Sequence, residues 1–208
     1  MSSTKTMDDE NERIVSGSTR ILLARHGETE WNRIGRWQGA TDVPLNDAGR
    51  EQAVALADRL RGVRIAGVAS SDLVRAVETA TLVAHALGVS WLGAHVDLRE
   101  RSYGVFEGLT RDECATQYPE VWARHKPGDL LEPPGAEPRG DVEARMTRGL
   151  AAVVSSHAHE HPVLVVSHGG SIRTFLATID GVLVPPMTNG ECYRVHHARE
   201  RFTRYARL

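Results

Sequence analysis

The chain predicts an α/β fold: a three-layer sandwich with a mainly parallel central sheet, helices on both faces and a small helical cap. Two observations carry that prediction. Segments patterned like short buried strands alternate with segments of helical period, which implies βαβ units and a parallel sheet. Two of the strand segments, residues 21–24 (Ile-Leu-Leu-Ala) and 163–166 (Val-Leu-Val-Val), are unbroken apolar runs, and each breaks into a histidine followed by glycine.

Each element can be justified in order. After the first strand comes a polar loop over 33–47 containing Gly35, Gly39 and Pro44. A helix then starts near Asn46, with Ala53, Leu56, Ala57 and Leu60 at helical spacing and Gly62 closing it. Residues 65–69 read as a second strand. Ser70-Ser71-Asp72 supplies an N-cap for a helix whose apolar face is Leu73, Val77, Ala80, Ala84 and Leu87, ending at Gly88. A weaker strand pattern covers 89–96. From 103 to 138 the periodicity loosens and aromatics gather: Tyr103, Phe106, Tyr118 and Trp122, then the turns Pro127-Gly128 and Pro133-Pro134-Gly135. This is the predicted cap over the carboxyl edge of the sheet. A helix from Asp141 through Met146, Leu150 and Val154 precedes the strand at 163–166, and another begins near Ser171. Residues 189–195 and 202–208 close the chain as an antiparallel edge pair, with His196-His197 as alternation along an edge strand.

The composition of the 208 residues narrows the function classes. The formal net charge is −2 and no basic block stands out, which argues against a nucleic-acid partner. No apolar run approaches the roughly 18 residues of a membrane span. Cys114 and Cys192, the two cysteines, are too few for a disulfide framework and suit a reducing cytoplasm. Residues 1–18 are polar and lack the apolar core of a secretory signal, so they read as a disordered leader before a single domain over 19–208.

Strand ends are where the chemistry gathers, because ligands in open α/β sheets bind just past the carboxyl ends of the strands. In a parallel sheet Arg25-His26-Gly27 and Ser167-His168-Gly169-Gly170 end on one edge, so the histidines can converge. A third strand end leads to Arg75 and a fourth to Leu98-Arg99-Glu100. Arg25, Arg75, His26, His168 and Asn32 would surround one anion with a carboxylate beside it. Two guanidinium forks and backbone N–H groups freed by glycine, Gly169 among them, suit a phosphoryl group and its transition state. With those cations present the chemistry needs no metal and no cofactor.

These segments resemble a known family. Arg25-His26-Gly27-Glu28-Thr29 with Asn32 is similar to the signature of the histidine phosphatase superfamily, also called phosphoglycerate-mutase-like. The segment Ser71-Asp72-Leu73-Val74-Arg75-Ala76-Val77-Glu78-Thr79-Ala80 resembles its second block. Leu98-Arg99-Glu100 with Tyr103-Gly104 resembles its third, and Val166-Ser167-His168-Gly169-Gly170-Ser171-Ile172-Arg173 its fourth. The resemblance covers nearly the whole chain from about Arg20, and the combination is far more specific than any one block. It implies His26 as a nucleophile that becomes phosphorylated, with its second nitrogen donating to a backbone carbonyl. It implies Arg25, Arg75, His168 and Asn32 as the phosphate pocket. Glu100 would protonate the leaving oxygen and then activate water. Gln38, Gly39, Tyr103 and Phe106 are the candidates for the substrate pocket. The family's Pro-Gly-Gly-Glu segment stands here as Pro134-Gly135-Ala136-Glu137, so no role is carried over to Glu137.

Blander readings compete at single positions. Glu28 and Thr29 serve equally well as caps of a following short helix. Trp37-Gln38-Gly39 fits packing as well as pocket wall, and His157, His159 and His161 suit solvent near a helix end rather than a metal. A metallohydrolase using His26, Glu28 and His168 would set its ion beside arginines, and an α/β-hydrolase lacks a Gly-x-Ser-x-Gly elbow. A non-catalytic phosphate-binding member would lack one of His26, Arg75, His168 or Glu100, and all four are present. The short stretch between Gly108 and Glu137 and the Trp37-Gln38-Gly39 sequence favour a phosphatase over a phosphoglycerate mutase. Phosphorylated sugars, phosphoglycerate derivatives and nucleotide-loop precursors all suit as the small phosphomonoester partner, and a homodimer is compatible with the sequence.

Overall fold

The computed structural model describes residues 19–124, 132–156, 160–198 and 200–208. The leader over 1–18, Lys126, the Pro127-Gly128 turn and the histidines His157 and His159 lie outside the described residues. Six strands form one sheet: β1 (Thr19–Arg25), β2 (Gly67–Ser71), β3 (Trp91–His95), β4 (Val163–Ser167), β5 (Cys192–Ala198) and β6 (Arg201–Arg207). Their order is β3-β2-β4-β1-β5-β6. The first four are mutually parallel, and β5 and β6 are antiparallel additions beside β1.

Seven α-helices occur among the described residues: α1 (Glu30–Arg33), α2 (Asp47–Leu60), α3 (Val74–Leu87), α4 (Arg111–Gln117), α5 (Pro119–Trp122), α6 (Arg139–Ser156) and α7 (Gly169–Asp180). Side chains of β1 and β4 alternate between two apolar cores, as the pleat requires. Ile21, Leu23, Val163 and Val165 pack with Met146 and Leu150 of α6 and Phe175 of α7. Leu22, Ala24, Leu164 and Val166 pack with Leu56 of α2 and Ala80 and Val83 of α3. Burial on both faces is why these strands are continuous apolar runs rather than alternating ones.

Several sequence expectations shift. The Ser70-Ser71-Asp72 cap is not where α3 begins: Leu73 is the N-cap and makes no side-chain cap bond. The missing acceptor comes from the loop after α1, where Asp42 Oδ1 takes the Val74 N–H at 2.7 Å. The buried face of α3 is accordingly Arg75, Ala76, Thr79, Ala80, Val83 and Ala84, with Val77 and Leu87 only partly covered. Asn46 does cap α2, its side chain accepting from Gly49 N–H at 2.8 Å, and Arg61 is the C-cap with Gly62 directly after it. His196 and His197 lie on β5, an interior strand, because β6 forms the edge. No helix among the described residues is long and apolar enough to cross a membrane, and both cysteines are free and buried.

Candidate active site

The register of two strands builds the centre. Arg25 of β1 is the partner of Ser167 of β4, and the His26 N–H continues the ladder to the Ser167 carbonyl at 3.0 Å. His26 and His168 therefore leave adjacent strands at the same level, with ring centroids 5.1 Å apart. On the other side of β4, β2 runs into α3, whose first turn carries Arg75. Glu100 follows the 3-10 turn Val96–Leu98 beyond β3.

Hydrogen bonds decide the tautomers of both rings. His26 Nδ1 lies 2.6 Å from the Gly27 carbonyl oxygen. A carbonyl can only accept, so Nδ1 carries the proton and Nε2 of the neutral ring keeps its lone pair. Burial, then the Arg75 charge, then Arg25, holds the His26 pKa well below the usual histidine range. His168 has the opposite arrangement. Arg75 Nε–H donates to His168 Nδ1 at 3.3 Å, so the His168 proton sits on Nε2. That Nε2 is buried without a partner, and burial and then Arg75 keep the ring neutral by lowering its pKa. One ring presents a lone pair and its neighbour an unpaired donor.

Further donors surround them. Arg25 Nη1 donates to the Met187 carbonyl at 2.5 Å, while its Nε is buried with no partner. Arg75 is 1 % exposed, and its two terminal nitrogens hold the carbonyls of Gly39 and Thr41, both at 2.8 Å. Thr29 and Asn32 form a capping box at the start of α1, so Thr29 caps the helix. Asn32 Oδ1 accepts from Thr29 N–H and from Asn189 Nδ2, which leaves the Asn32 amide nitrogen unpaired among the described residues. Glu28 accepts from Asn46 Nδ2 and lines the same cavity. Asn189 also holds the His26 carbonyl at 3.0 Å. Sequence reasoning missed it by assigning 189–195 to a strand, although an Asn-Gly pair is a turn signal. With Pro186 and Met187 it forms one wall of the cavity.

Glu100 is fixed by the start of α7. Its Oε1 accepts from Ser171 N–H at 2.9 Å, Ser171 Oγ at 3.1 Å and Arg101 N–H at 2.9 Å, and Oε2 accepts from Gly170 N–H at 3.1 Å. A Cβ at Gly170 would stand 2.5 Å from the Tyr103 hydroxyl and 2.8 Å from Glu100 Oε1, so glycine permits this approach. Tyr103 is buried, and burial followed by the Glu100 charge raises its pKa far above the usual phenol value. Glu137 belongs to the scaffold behind Glu100. It takes both forks of Arg145, at 2.7 and 2.8 Å, and Arg145 in turn donates to the carbonyls of Asp97 and Arg99. Its role there survives Ala136 because the Glu137 N–H bonds to the Ser102 carbonyl, independent of the side chain before it.

The cavity above this centre has a volume of about 500 Å³. Arg25, His26, Asn32, Arg75, Glu100 and Gly169 line it, as do Gln38, Gly39 and Tyr103. Two sequence candidates do not. His168 is fully buried, set against the His26 ring rather than on the open surface. Phe106, expected at the pocket, is fully buried inside the cap, with Tyr118 at 5.6 Å and Trp122 at 6.2 Å between ring centroids. Phe106 ends the 3-10 turn Gly104–Phe106, and the aromatic wall comes from Trp31, Trp37 and Tyr103 instead. Among the described residues no group of three or more His, Cys, Asp or Glu could hold a metal ion. A lone pair, a ring of unpaired donors and a nearby carboxylate suit nucleophilic attack on an oxyanion.

The chain also resembles known proteins over most of its length. The chain is 38% identical over 173 residues to a protein of Arabidopsis thaliana named metal-independent phosphoserine phosphatase, covering 82% of this chain and 72% of that one. It is 40% identical over 157 residues to phosphoglycerate mutase-like protein 4 of the same plant, covering 74% and 68%. A mycobacterial glucosyl-3-phosphoglycerate phosphatase, solved with VO3, superposes with a TM-score of 0.78 at 29% identity over 91% of this chain and 97% of that one. The family model for the histidine phosphatase superfamily (branch 1) matches residues 21–204, and the chain belongs to that superfamily.

Proposed function

We propose that the protein is a phosphomonoesterase that hydrolyses a small phosphorylated metabolite through a phosphohistidine on His26. The observation that carries this reading is the pair of opposed tautomers: His26 Nε2 with a free lone pair, and His168 Nε2–H with no acceptor. A buried unpaired donor costs about 1–3 kcal/mol. Arg25 Nε adds a second, and a phosphoryl group bound between them would supply the missing acceptors.

In the first step His26 Nε2 attacks phosphorus, the bond to the ester oxygen breaks, and Glu100 gives that oxygen a proton. In the second, Glu100 takes a proton from water as the water oxygen attacks phosphorus. The N–P bond breaks, orthophosphate leaves, and His26 and Glu100 return to their starting states. Arg25 and Arg75 neutralise the equatorial oxygens in both steps, which leaves no charge for a metal to carry. Hydrolysis rather than transfer to a second substrate position is the favoured outcome, consistent with the relatives named as phosphatases. A panel of phosphomonoesters, assayed with and without EDTA and beside a phosphoglycerate mutase assay, tests this reading. Orthophosphate release unaffected by EDTA is expected, and mutase turnover exceeding hydrolysis on every substrate would contradict it.

A further inference from the structure

Glu107 lies outside the cavity lining, yet its carboxylate gathers three donors from two segments that meet there. Its Oε1 accepts from Tyr103 N–H at 2.9 Å and from Ala40 N–H at 3.2 Å, and its Oε2 accepts from Thr41 Oγ at 3.2 Å. The Ala40–Thr41 end of this contact belongs to the turn whose Gly39 and Thr41 carbonyls receive both terminal nitrogens of Arg75. Arg75 in turn fixes the His168 tautomer through Nε. The Tyr103 end belongs to the turn whose hydroxyl stands beside Glu100 at the start of α7. One carboxylate thus spans from the phosphate cradle to the acid.

Local sequence is arranged around this carboxylate. Gly39 adopts φ +54°, and a Cβ there would collide with the Glu107 side chain. The segments on either side are tied independently: Trp37 exchanges backbone bonds with Gly108 and Leu109, each at 2.9 Å. The backbone already holds the cap to the loop, so Glu107 is not needed to attach it. What Glu107 adds is the placement of Ala40 and Thr41, and through their neighbouring carbonyls the guanidinium plane of Arg75.

We propose that Glu107 is a positioning residue that sets Arg75, and through it the His168 tautomer, in register with the Tyr103–Glu100 side of the site. The effect is one of span, not of charge. Glutamine keeps the span: its carbonyl oxygen still accepts from Ala40 and Tyr103, and the Thr41 hydroxyl can reverse to accept from the new amide. Aspartate keeps the charge but is one methylene short, so it cannot reach all three donors.

Glu107→Gln and Glu107→Asp therefore separate the two explanations, and both are mild enough to fold. The affinity of each for inorganic orthophosphate, measured by calorimetry, reads the cradle without turnover, and kcat/KM for p-nitrophenyl phosphate reads the whole site. Glu107→Gln is expected within about threefold of the native protein in both, whereas Glu107→Asp loses about tenfold in orthophosphate affinity and up to about a hundredfold in kcat/KM. Equal unfolding temperatures for the two variants would assign the difference to the site rather than to the cap. Any other ordering overturns the proposal, including native behaviour of Glu107→Asp or a Glu107→Gln as damaged as Glu107→Asp. The proposal rests on the phosphatase reading only for kcat/KM. If that reading fails, the native protein shows no hydrolysis, while the orthophosphate affinities still test Glu107.

Discussion

At the scale of single residues, the site is a set of protonation states fixed by neighbours. The Gly27 carbonyl forces the proton of His26 onto Nδ1, and Arg75 forces that of His168 onto Nε2. Both rings are held neutral, with folded pKa values well below the ordinary 6.5. Below pH 6.5 the unfolded chain takes up two protons that the folded chain refuses, so stability is full above that pH and falls as the pH drops towards the folded values. The slope is up to about 1.4 kcal/mol per pH unit for each histidine. Urea unfolding at pH 7.5 and 5.5 should show the native protein losing more stability than His168→Gln, and equal losses would contradict the neutral assignment. The identity of these residues was legible in the sequence, since two strands ending in His-Gly point to one sheet edge. Their tautomers were not, because they depend on Gly27 and Arg75 reaching particular nitrogens. Glu137 and Asn189 were illegible for a similar reason: each acts through one particular partner, the Arg145 guanidinium on the next helix and the His26 carbonyl from the other end of the chain.

At the scale of elements, helices and strands were read from their periodicity, and the errors fall where a partner from elsewhere overrides local preference. The start of α3 is an example, because Asp42 from a distant loop caps it while Ser70 and Ser71 finish β2. Phe106 is another. The sequence placed it in the substrate pocket, but in the fold it forms the cap's own small core with its aromatic neighbours and Cys114. Phe106→Ala should therefore cost roughly 3–5 kcal/mol of stability, as deletion of a buried ring does. Chemical denaturation measures that loss directly. Native stability with altered substrate preference would return Phe106 to the pocket.

At the scale of the whole molecule, parallel pairing of β1, β4 and β2 delivers Arg25, His26, His168 and Arg75 to one edge, and Tyr103 and Arg111 line the cavity beside Arg25, His26 and Arg75. The βαβ alternation predicted that edge. It could not predict the strand order, which places β4 between β1 and β2 and makes His168 the neighbour of both His26 and Arg75. That neighbourhood is what gathers four separate motifs into one site, and the central claim of the proposed function is that His26 carries the phosphoryl group. Rapid acid-free quenching of Glu100→Gln with ³²P-labelled p-nitrophenyl phosphate tests it most directly. That good leaving group needs little protonation, while water lacks its base, so label should accumulate on the protein. The account predicts a base-stable, acid-labile label that maps to His26 and is absent from His26→Ala. Label on His168, or none on any residue while hydrolysis proceeds, would contradict it.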